Sequence, residues 1–510
     1  MTGDDERDSD KWIDVPHYPL LYEINTRCWL NELSKENGDK IELGNIPEEQ
    51  FLHWQELGFT HIWLMGIWTT GARGRAHSLN QPTLLRTYSG VLPDWQKEDV
   101  SGSPYAVADY RVSSHFGGAS GLQQFREKLH HRGLKLILDF VPNHLGLDHP
   151  WISDQPGLFV ESPEGSAHGF YRKTPMGRRW FAHGKDPYFP PWTDTIQLDY
   201  RRAETRAAMI EVLHSVSRLC DGVRCDMAML LLNDVFEKTW ETIPSPGVGI
   251  RNEFWSQAIE RIKEDYPNFL FLAEAYWGLE ERLQDLGFDY TYDKGFYDHL
   301  MARNHGLAQR HLLEALSRHL HSSLHFLENH DEPRVATRLA PSEHRAAALA
   351  LLGLPGMRLL HEGQLIGARL QTCIHLGRRA IEEAQPEVAI CYRQILGVLQ
   401  KTSVGRGQAE LLRPWAAWDG NSTCENFIVV QWQESAGSFR FDLVVVNLAS
   451  HRSQCYVRLQ IDGLAEHRWQ MTDLLGDEIH VRLGRSLQQR GLYLDLAAHG
   501  AQLFRFQPCG

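Results

Sequence analysis

The chain has 510 residues, of which 42% are hydrophobic and 23% are charged, and its formal net charge at pH 7 is -13. This composition is typical of a folded globular protein and excludes a disordered or fibrous chain. The acidic balance argues against a nucleic-acid partner, because phosphate binding requires a basic face.

The chain begins with MTGDDERDSD, which is acidic and has neither the apolar segment nor the small-residue cleavage site of a secretory signal. No later stretch is apolar for long enough to span a membrane, so we expect no membrane partner. The eight cysteines are scattered and form no CxxC pair, which favours reduced thiols. These features predict a cytoplasmic protein.

Between about residues 18 and 405, short apolar runs alternate with amphipathic segments, which is typical of repeated β–α units. The predicted strands, in chain order, are 20–24, 61–65, 134–140, a strand at Val223, 269–273, and strands near 288–290, 324–327 and 357–360. The predicted helices include one opened by Pro47, one with Leu122, Phe125 and Leu129 on a single face, one at about 202–219, and one around Phe254, Ala258 and Ile262.

Eight strands that are mostly apolar on both faces predict a closed (β/α)8 TIM barrel ringed by helices. An open doubly wound sheet is the alternative. It would carry a Gly-rich phosphate loop after the first strand, and the sequence has none there.

Residues 145–198 interrupt this alternation and are rich in Gly, Pro, His and aromatic residues, as in HGKDPYFPPW at 183–192. We predict a long functional excursion after the third strand. Beyond about residue 405 the pattern changes to the short runs 427–432, 441–448, 455–459 and 503–506, which predict an antiparallel β-sandwich. The predicted organisation is a barrel of 1–144 and 199–405, an inserted region of 145–198 and a C-terminal β-sandwich of 406–510.

Four predicted barrel strands end in charged residues. The segments are DFVPNH (139–144), DGVRCDMA (221–228), FLAEA (271–275) and ENHD (328–331). One acid in such a place is commonly a helix N-cap or an ion-pair partner. Four together indicate an active site, because TIM-barrel active sites lie at the carboxyl ends of the strands.

Two carboxylates in these segments are predicted to differ in protonation. Because side chains alternate along a strand, Arg224 and Asp226 point the same way, and the arginine should keep the aspartate ionised, as a nucleophile requires. Burial and a neighbouring carboxylate should raise the pKa of Glu274, which suits a proton donor. Such a pair carries out glycoside hydrolysis.

The same four segments resemble, in order and separation, the four sequence regions of the α-amylase family, glycoside hydrolase family 13. The resemblance extends from about residue 20 to 508 and includes SPYAVADY (103–110), QLD (197–199), PGMRLLHEGQ (355–364) and a C-terminal β-domain. It implies that Asp226 is the nucleophile, that Glu274 is the general acid and then the base, and that Asp331 holds two hydroxyls of the reacting sugar.

The resemblance also implies substrate-binding and supporting residues. They are Tyr105, which would stack on the sugar, His144 and His330, which would hydrogen-bond it, Arg224, which would orient Asp226, and Asp139, which would support Arg224. A histidine is more often a satisfied core residue, but the position of these two inside matched motifs favours a role in binding. Arg334, in HDEPR, resembles the pattern of glucosidases that act on short substrates.

Several positions depart from the family pattern. Starch-degrading members often carry a Lys-His pair where this chain has Met229 and Leu230, which speaks against binding of a long glucan. Exo-acting glucosidases often carry an aspartate where this chain has Ala106. The usual calcium site of the family uses the residue matching Asn143, but no run of acidic ligands follows the first strand. We therefore expect no required cofactor, and a structural calcium ion is not supported.

Three functions remain open at this point. The first is a retaining hydrolase of a short or small cytoplasmic α-glucoside, of the malto-oligosaccharide, sucrose, trehalose or glucosylglycerol type. The second is a transglycosylase or isomerase, such as a trehalose synthase, with the same covalent intermediate. The third is a non-catalytic sugar-binding or interaction protein, which would be expected to have lost carboxylates that are present here. The expected partner in the first two is a small-molecule carbohydrate, and the sequence does not indicate an oligomeric state.

Overall fold

A computed structural model describes residues 18–166, 169–175, 177–244, 252–435 and 437–509. The acidic start of the chain, on which the prediction about a signal segment rests, lies outside the described residues. Contacts divide the chain into two compact units, one of Pro19–Gly397 and one that runs from Val398 onward and includes Tyr18. The boundary predicted at 405/406 remains a prediction beside this division at 397/398.

Eight parallel strands close a barrel in the first unit, which confirms the predicted TIM-barrel fold. In chain order they are β1 Leu20–Asn25, β2 His61–Met65, β3 Lys135–Phe140, β4 Gly222–Cys225, β5 Leu270–Ala273, β6 Tyr290–Tyr292, β7 Ser323–His325 and β8 Met357–His361. Each strand pairs with its neighbour in sequence, and β8 closes the ring by pairing with β1. All five residues of β2 and of β8 are buried, as expected for strands covered on both faces.

The helices of this unit lie between the strands in sequence. They are Thr26–Asn37, Glu48–Glu56, Ala72–Asn80, Pro82–Val91, Gly118–His131, Trp151–Asp154, Ala203–Ser217, Asn233–Thr239, Phe254–Asp265, Glu280–Asp285, Lys294–Met301, His305–Glu314, Ser317–His321, Val335–Arg338, Pro341–Gly353 and Pro386–Leu399. Across the described parts of the whole chain, no helix has both the length and the apolar character needed to cross a membrane.

The segment after β3 leaves the barrel and returns to it. Its two ends are joined by the antiparallel pair His144–Gly146 and Thr195–Gln197, and a hairpin of Gly169–Thr174 and Gly177–Ala182 lies between them. A second excursion, which the sequence pattern did not predict, follows β2. It pairs Trp68–Thr70 with Val107–Val112 and contains two helices between these strands.

The second unit contains two antiparallel sheets. Its strands are β9 Gln408–Leu411, β10 Trp415–Ala416, β11 Phe427–Gln433, β12 Phe441–Asn447, β13 Ser453–Val457, β14 Arg468–Asp473, β15 Ile479–Leu483, β16 Leu492–Leu496 and β17 Ala501–Cys509, with one helix, Gly484–Arg490. One sheet has the order β9-β11-β12-β17-β14-β15 and the other β10-β13-β16. Apolar residues of both sheets form one buried cluster, which confirms the predicted sandwich.

A buried ion cluster stabilises the barrel wall directly after β6. The Asp293 carboxylate lies 2.7 Å from His311 Nε2 and 2.9 Å from His325 Nδ1, and it accepts the backbone N–H of Phe296 at the start of the next helix. Burial would raise the pKa of Asp293, but the two histidines outweigh it and hold that pKa well below its usual range. Burial opposes the charge on His311, yet Asp293 raises the pKa of that ring.

We expect Asp293→Asn to lower the free energy of unfolding by about 3 kcal/mol, because it leaves the protonated His311 without its buried partner. The carboxylate contribution is lost as pH falls from about 3.9 through the depressed folded pKa of Asp293. The His311 contribution is complete below about pH 6.5 and is lost as pH rises through its raised folded pKa. In urea denaturation, the free energy of unfolding of Asp293→Asn should therefore differ most from that of wild type between about pH 3.9 and pH 6.5.

The exposed helix residue Asp298, paired with Lys294, offers a matched control. Asp298→Asn should change the free energy of unfolding by less than about 0.5 kcal/mol. A deficit for Asp293→Asn that stayed the same at pH 3, 5 and 9 would contradict the electrostatic explanation and indicate a packing defect.

Candidate active site

The carboxyl ends of neighbouring barrel strands bring the predicted polar residues together. Asp139 lies in β3, Arg224 in β4 and Asp226 directly after β4, while Glu274 directly follows β5. Asp331 lies six residues beyond the end of β7. Parallel strands of a barrel end at one rim, so residues far apart in sequence share this face.

Arg224 is the centre of this group. Its Nη1 lies 2.8 Å from Asp226 Oδ1, its Nη2 lies 2.8 Å from Glu274 Oε2, and the same nitrogen is 4.0 Å from Asp331 Oδ2. The guanidinium is almost fully buried, with three aromatic rings within 6 Å of its central carbon: Trp63, Tyr105 and Tyr292. One buried cation therefore holds two carboxylates side by side and a third within its field.

Asp226 occupies the position that strand alternation predicts. Val223 and Cys225 are fully buried on one side of β4, and Arg224 and Asp226 meet on the other. The backbone N–H of Asp226 donates to the Phe140 carbonyl oxygen at 2.8 Å, which fixes the end of the strand. The predicted contact with Arg224 is present, but its expected effect on ionisation is only partial. Burial outweighs the arginine, and the pKa of Asp226 is raised.

Glu274 is held at both oxygens. Oε2 accepts the backbone N–H of Met227 at 2.6 Å, and Oε1 accepts the hydroxyl of Tyr276 at 2.8 Å. Met227 has a φ of 43°, in the left-handed region that non-glycine residues seldom adopt, and this turn directs its N–H at the carboxylate. Burial raises the pKa of Glu274 to about 7, with Arg224 opposing and the other two carboxylates adding to the effect. The sequence also predicts a raised pKa for Glu274, caused by burial and a neighbouring carboxylate.

Asp331 is the most open of the three carboxylates, with 44% of its side chain exposed. Its Oδ2 lies 3.0 Å from His330 Nε2. Removal from water would raise the pKa of this carboxyl, but the adjacent His330 ring outweighs it and lowers the pKa to about 2. The group therefore stays ionised while Glu274 holds its proton near neutral pH.

The two predicted histidines differ in charge. Burial lowers the pKa of His144 to about 4, and this ring packs against Trp192 at 5.0 Å, so it is neutral at pH 7. His330 contacts carboxyl groups on both ring nitrogens, Glu23 on Nδ1 and Asp331 on Nε2. Tyr105 stacks on His330 with ring centroids 5.4 Å apart and places its hydroxyl 2.8 Å from Nε2.

Asp139 supports Arg224 indirectly. Its carboxylate accepts from Trp63 Nε1 at 3.2 Å and from the backbone N–H of Gly66 at 2.8 Å, and Trp63 packs against the guanidinium. Gly66 has a φ of 78°, and a Cβ there would lie 2.7 Å from Pro104, so only glycine fits this turn. No ion pair joins Asp139 to Arg224 among the described contacts. The support predicted from the sequence therefore comes through the packing of Trp63 and through electrostatic attraction without direct contact, since Arg224 lowers the pKa of Asp139 that burial raises.

Arg334 does not join the three carboxylates. Its Nη1 lies 2.7 Å from Glu328 Oε1 and 2.6 Å from the Glu362 carbonyl oxygen, and its Nε donates to the Leu370 carbonyl. The side chain is 2% exposed. Its N–H groups hold the loop after β8, so this geometry speaks against the predicted direct contact with substrate.

Two further sequence expectations concern metal and substrate length. The Asn143 amide oxygen accepts from Gln197 Nε2 at 3.0 Å, so it is already engaged, and no cluster of three or more His, Cys, Asp or Glu side chains suited to a metal occurs within the described ranges. Met229 and Leu230, at the Lys-His positions of starch-degrading relatives, are both buried apolar residues in a short turn after β4.

Sequence reasoning missed four residues of this site: Glu23, Trp63, Tyr276 and Tyr292. Glu23 offered a signal, because it is the one charged residue within the apolar first strand. The aromatic residues offered none, since a buried ring beside a charge looks like any core residue in sequence. An exposed aromatic group follows Glu274 in the sequence. Trp277, three residues later, packs edge to face on Tyr188 of the excursion at 4.9 Å, and Phe189 beside it is exposed.

The family model described as the catalytic domain of alpha amylase matches residues 46–391. The alpha-amylase MalA of Haloarcula japonica is 26% identical over 281 residues, which is 54% of this chain and 38% of MalA. The 1,4-alpha-glucan branching enzyme GlgB of Chlamydia trachomatis is 23% identical over 288 residues, covering 54% of this chain and 32% of GlgB. The chain thus spans about a third of the length of these relatives.

A solved structure extends the likeness to most of the chain. The maltogenic alpha-amylase AmyB of Thermotoga neapolitana is superimposable with a TM-score of 0.67 at 20% identity, covering 96% of this chain and 99% of AmyB. At this identity the likeness shows the fold, a barrel followed by antiparallel sheets. Because the family model covers more than half of the residues, the chain belongs to the α-amylase family.

Proposed function

We propose that this protein is a retaining glycoside hydrolase that cleaves α-glucosidic bonds by double displacement. The observation that carries the proposal is the Arg224 guanidinium spanning Asp226 and Glu274 at 2.8 Å each. Retaining glycosidases keep their two carboxyl groups about 5–5.5 Å apart, whereas inverting enzymes leave about 6.5–9.5 Å for a water molecule. Two carboxylates bridged by one guanidinium favour the closer arrangement.

In the first step, an oxygen of Asp226 bonds to the anomeric carbon while the bond from that carbon to the leaving oxygen breaks. Glu274 gives its proton to that oxygen. In the second step, Glu274 takes a proton from water, the water oxygen bonds to the anomeric carbon, and the ester bond to Asp226 breaks. Two inversions restore the α configuration.

Arg224 suits both steps. Before reaction it faces an ionised Asp226 and a protonated Glu274. After the first step Asp226 is an uncharged ester and Glu274 is a carboxylate. The pair therefore carries one negative charge before and after the first step, on Asp226 opposite Nη1 and then on Glu274 opposite Nη2, and the same guanidinium balances it in both states. Asp331, ionised and open to the cleft, is placed to accept hydrogen bonds from the sugar hydroxyls.

The proposed substrate is a short or small α-glucoside, of the malto-oligosaccharide, sucrose, trehalose or glucosylglycerol type. Met229 and Leu230 are buried and apolar, so they offer no charged or polar side chain to further glucose units. Ala106 is buried too and offers no carboxylate to a terminal sugar. The cytoplasmic location predicted from the scattered cysteines is part of the same proposal.

Glycosyl transfer, in which a sugar hydroxyl replaces water in the second step, is the second candidate. One relative is named a 1,4-alpha-glucan branching enzyme, and the exposed aromatic group of Tyr188, Phe189 and Trp277 offers a surface on which an acceptor sugar can stack. The two candidates share every residue of the first step and differ only in the acceptor.

A product screen by anomeric NMR tests both candidates. Maltotetraose, maltose, sucrose, trehalose and glucosylglycerol would each be incubated with purified protein and with the Asp226→Asn variant. Fast release of α-glucose from one small glucoside, with little action on maltotetraose, would support the hydrolase. New glucosides formed in place of glucose would support transfer. Release of β-glucose first would exclude the retaining mechanism, and binding without turnover would favour a sugar-binding protein.

We expect Trp277→Ala to reduce kcat/KM for malto-oligosaccharides roughly fivefold, by removing a stacking surface worth about 1 kcal/mol. The loss should be small for an aryl glucoside whose leaving group does not reach that surface. Trp418, exposed in the C-terminal unit, is a matched control, and Trp418→Ala should leave both substrates unaffected. Equal losses on both substrates for Trp277→Ala would contradict a role in binding the leaving group.

A further inference from the structure

The first barrel strand carries one charged side chain that the proposed mechanism does not use. Glu23 lies in β1, within LLYEIN, and has no exposed surface. Its Oε1 lies 2.5 Å from His330 Nδ1, a contact between residues 307 positions apart in the chain. Its Oε2 is buried and has no hydrogen-bond partner in the part of the chain that the structure describes.

The ring of His330 is fixed in one orientation. It stacks on Tyr105 with ring planes 18° apart, and it meets the edge of Trp63 with centroids separated by 5.6 Å. In this orientation Nδ1 faces Glu23, and Nε2 faces Asp331 at 3.0 Å and the Tyr105 hydroxyl at 2.8 Å. A half-turn of the ring about Cβ–Cγ would keep the ring plane but place carbon atoms where Nδ1 and Nε2 now lie, so it would lose the contacts with Glu23 and Asp331.

In this orientation, the protonation state of the ring decides whether it donates to Glu23, to Asp331 or to both. A ring nitrogen donates to a carboxylate only when it carries hydrogen, so a singly protonated ring with its proton on Nδ1 would donate to Glu23 alone. Nε2 would then present a lone pair, which can accept from the Tyr105 hydroxyl but repels the Asp331 carboxylate 3.0 Å away. Only a doubly protonated ring donates to both carboxylates at once.

We propose that Glu23 is a positioning residue that keeps His330 doubly protonated, so that its Nε2–H remains directed at Asp331 and holds that carboxylate in place for the sugar. The effect of Glu23 on the reaction rate rests on the proposed function. The protonation state of His330 does not, because it can be measured without substrate.

The charges around the ring support this inference. Burial opposes a charge on His330, but Asp331 and Glu23 raise the pKa of this ring well above its usual value. The dependence is mutual, because a buried carboxylate with one unpaired oxygen requires a nearby positive charge. The titratable groups that face His330 are Glu23 from β1, Tyr105 from the second excursion, Asp139 from β3, Asp226 after β4, Asp331 beside it, and His361 from β8.

Histidine-ring NMR of the full chain without substrate tests the protonation directly. In wild-type protein labelled with ¹⁵N-histidine, both ring nitrogens of His330 should carry protons from pH 6 to pH 8, with the signal assigned by its loss in His330→Gln. In Glu23→Gln the ring should titrate at lower pH and have lost a proton by pH 8. If the ring has the same protonation state at pH 8 in both proteins, the proposal is wrong.

Kinetics give a second test, designed to remove the titration of Glu274. In the Glu274→Gln background with 2,4-dinitrophenyl α-glucoside, whose leaving group needs no proton donor, kcat/KM would be compared with and without Glu23→Gln from pH 5 to pH 9. The added substitution should lower kcat/KM roughly tenfold or more at pH 8 and much less at pH 5. An equal loss at all pH values, or no loss, would overturn the proposal.

Two controls separate charge from packing. Glu328 is another fully buried glutamate, which pairs with Arg334 and lies 3.3 Å from His361, and no described contact joins it to His330. Glu328→Gln should shift the His330 titration much less than Glu23→Gln does, and an equal shift would overturn the proposal. Glu23→Asp keeps the charge and should preserve a doubly protonated ring at pH 8. If the Glu274→Gln enzyme is inactive on the aryl glucoside, the proposed function fails while the NMR result still decides the role of Glu23.

Discussion

Asp226→Asn should reduce turnover of every α-glucoside substrate by roughly 10⁴-fold or more, with the fold intact. The estimate follows from other covalent enzymes, in which loss of the nucleophile removes most of the rate enhancement. Asparagine has nearly the same shape as aspartate, and its amide oxygen can accept the hydrogen bond that Arg224 Nη1 now gives at 2.8 Å. Single-turnover kinetics and thermal unfolding, measured together, would check both halves of this expectation.

A matched control comes from the other unit of the chain. Asp442 is also a buried aspartate paired with an arginine, with its Oδ1 2.9 Å from Arg505 Nε. Asp442→Asn should lower stability, since it weakens a buried ion pair, but it should leave kcat within about twofold of wild type. Near-normal activity in Asp226→Asn, or an equal loss of activity in both variants, would refute the assignment of the nucleophile.

A smaller substitution tests which face of the sugar the nucleophile attacks. Asp226→Gly leaves space at the carboxylate position, and azide can enter it. With an activated aryl α-glucoside, azide attack from that side would give β-glucosyl azide by a single inversion. Formation of α-glucosyl azide instead would place Asp226 on the wrong side of the anomeric carbon for the proposed mechanism.

The barrel could be predicted from the sequence because its strands are buried on both faces. Apolar runs of strand length therefore mark the strands directly, and β2 was predicted with the bounds that the structure has, His61–Met65. β6 was predicted too early, at 288–290 instead of Tyr290–Tyr292. Phe288 extends the apolar run, but it packs edge to face on Trp255 at 4.8 Å before the strand begins.

Elements whose apolar residues either pack against distant parts of the chain or face solvent were missed in the sequence analysis. The helices Ala72–Asn80 and Pro82–Val91 contribute Tyr88 to a small cluster completed by Leu376, nearly three hundred residues later, so no local pattern announces them. β15 alternates apolar and polar residues, but Ile479, Val481 and Leu483 on its apolar side are exposed. Sequence periodicity assumes that the apolar side faces a core, and this edge strand does not meet that assumption.

Contacts within the active site could be predicted from the sequence where both residues belong to one strand. Contacts between residues of different strands could not. Alternation along β4 was enough to pair Arg224 with Asp226. The second contact of Arg224, with Glu274, depends on how closely β4 and β5 approach, and a single sequence does not contain that distance. The raised pKa of Asp226 was missed for the same reason, because burial comes from surrounding elements and outweighs the one neighbour that the sequence showed.

Glu274→Gln should separate substrates by their leaving group. A sugar alkoxide leaves poorly unless it receives a proton, so hydrolysis of maltose or another sugar glucoside should fall by roughly 10³-fold or more. 2,4-Dinitrophenolate leaves without a proton, so the first step on the aryl glucoside should proceed at a rate near that of wild type. The glucosyl-enzyme should then accumulate, because no base activates water, and mass spectrometry of the intact protein would detect it.

The pH dependence gives this prediction a direction. Since burial raises the pKa of Glu274 to about 7, the donor is protonated below that value, and wild-type kcat/KM on a sugar glucoside should fall as pH rises through about 7. On the aryl glucoside, which needs no proton donor, this alkaline limb should be weak in wild type and absent in Glu274→Gln. Azide, which needs no base, should release the accumulated sugar as α-glucosyl azide, the opposite anomer to that from Asp226→Gly. Equal losses on both substrate classes would contradict proton donation, whereas the paired azide products would place the two carboxylates on opposite faces of one sugar.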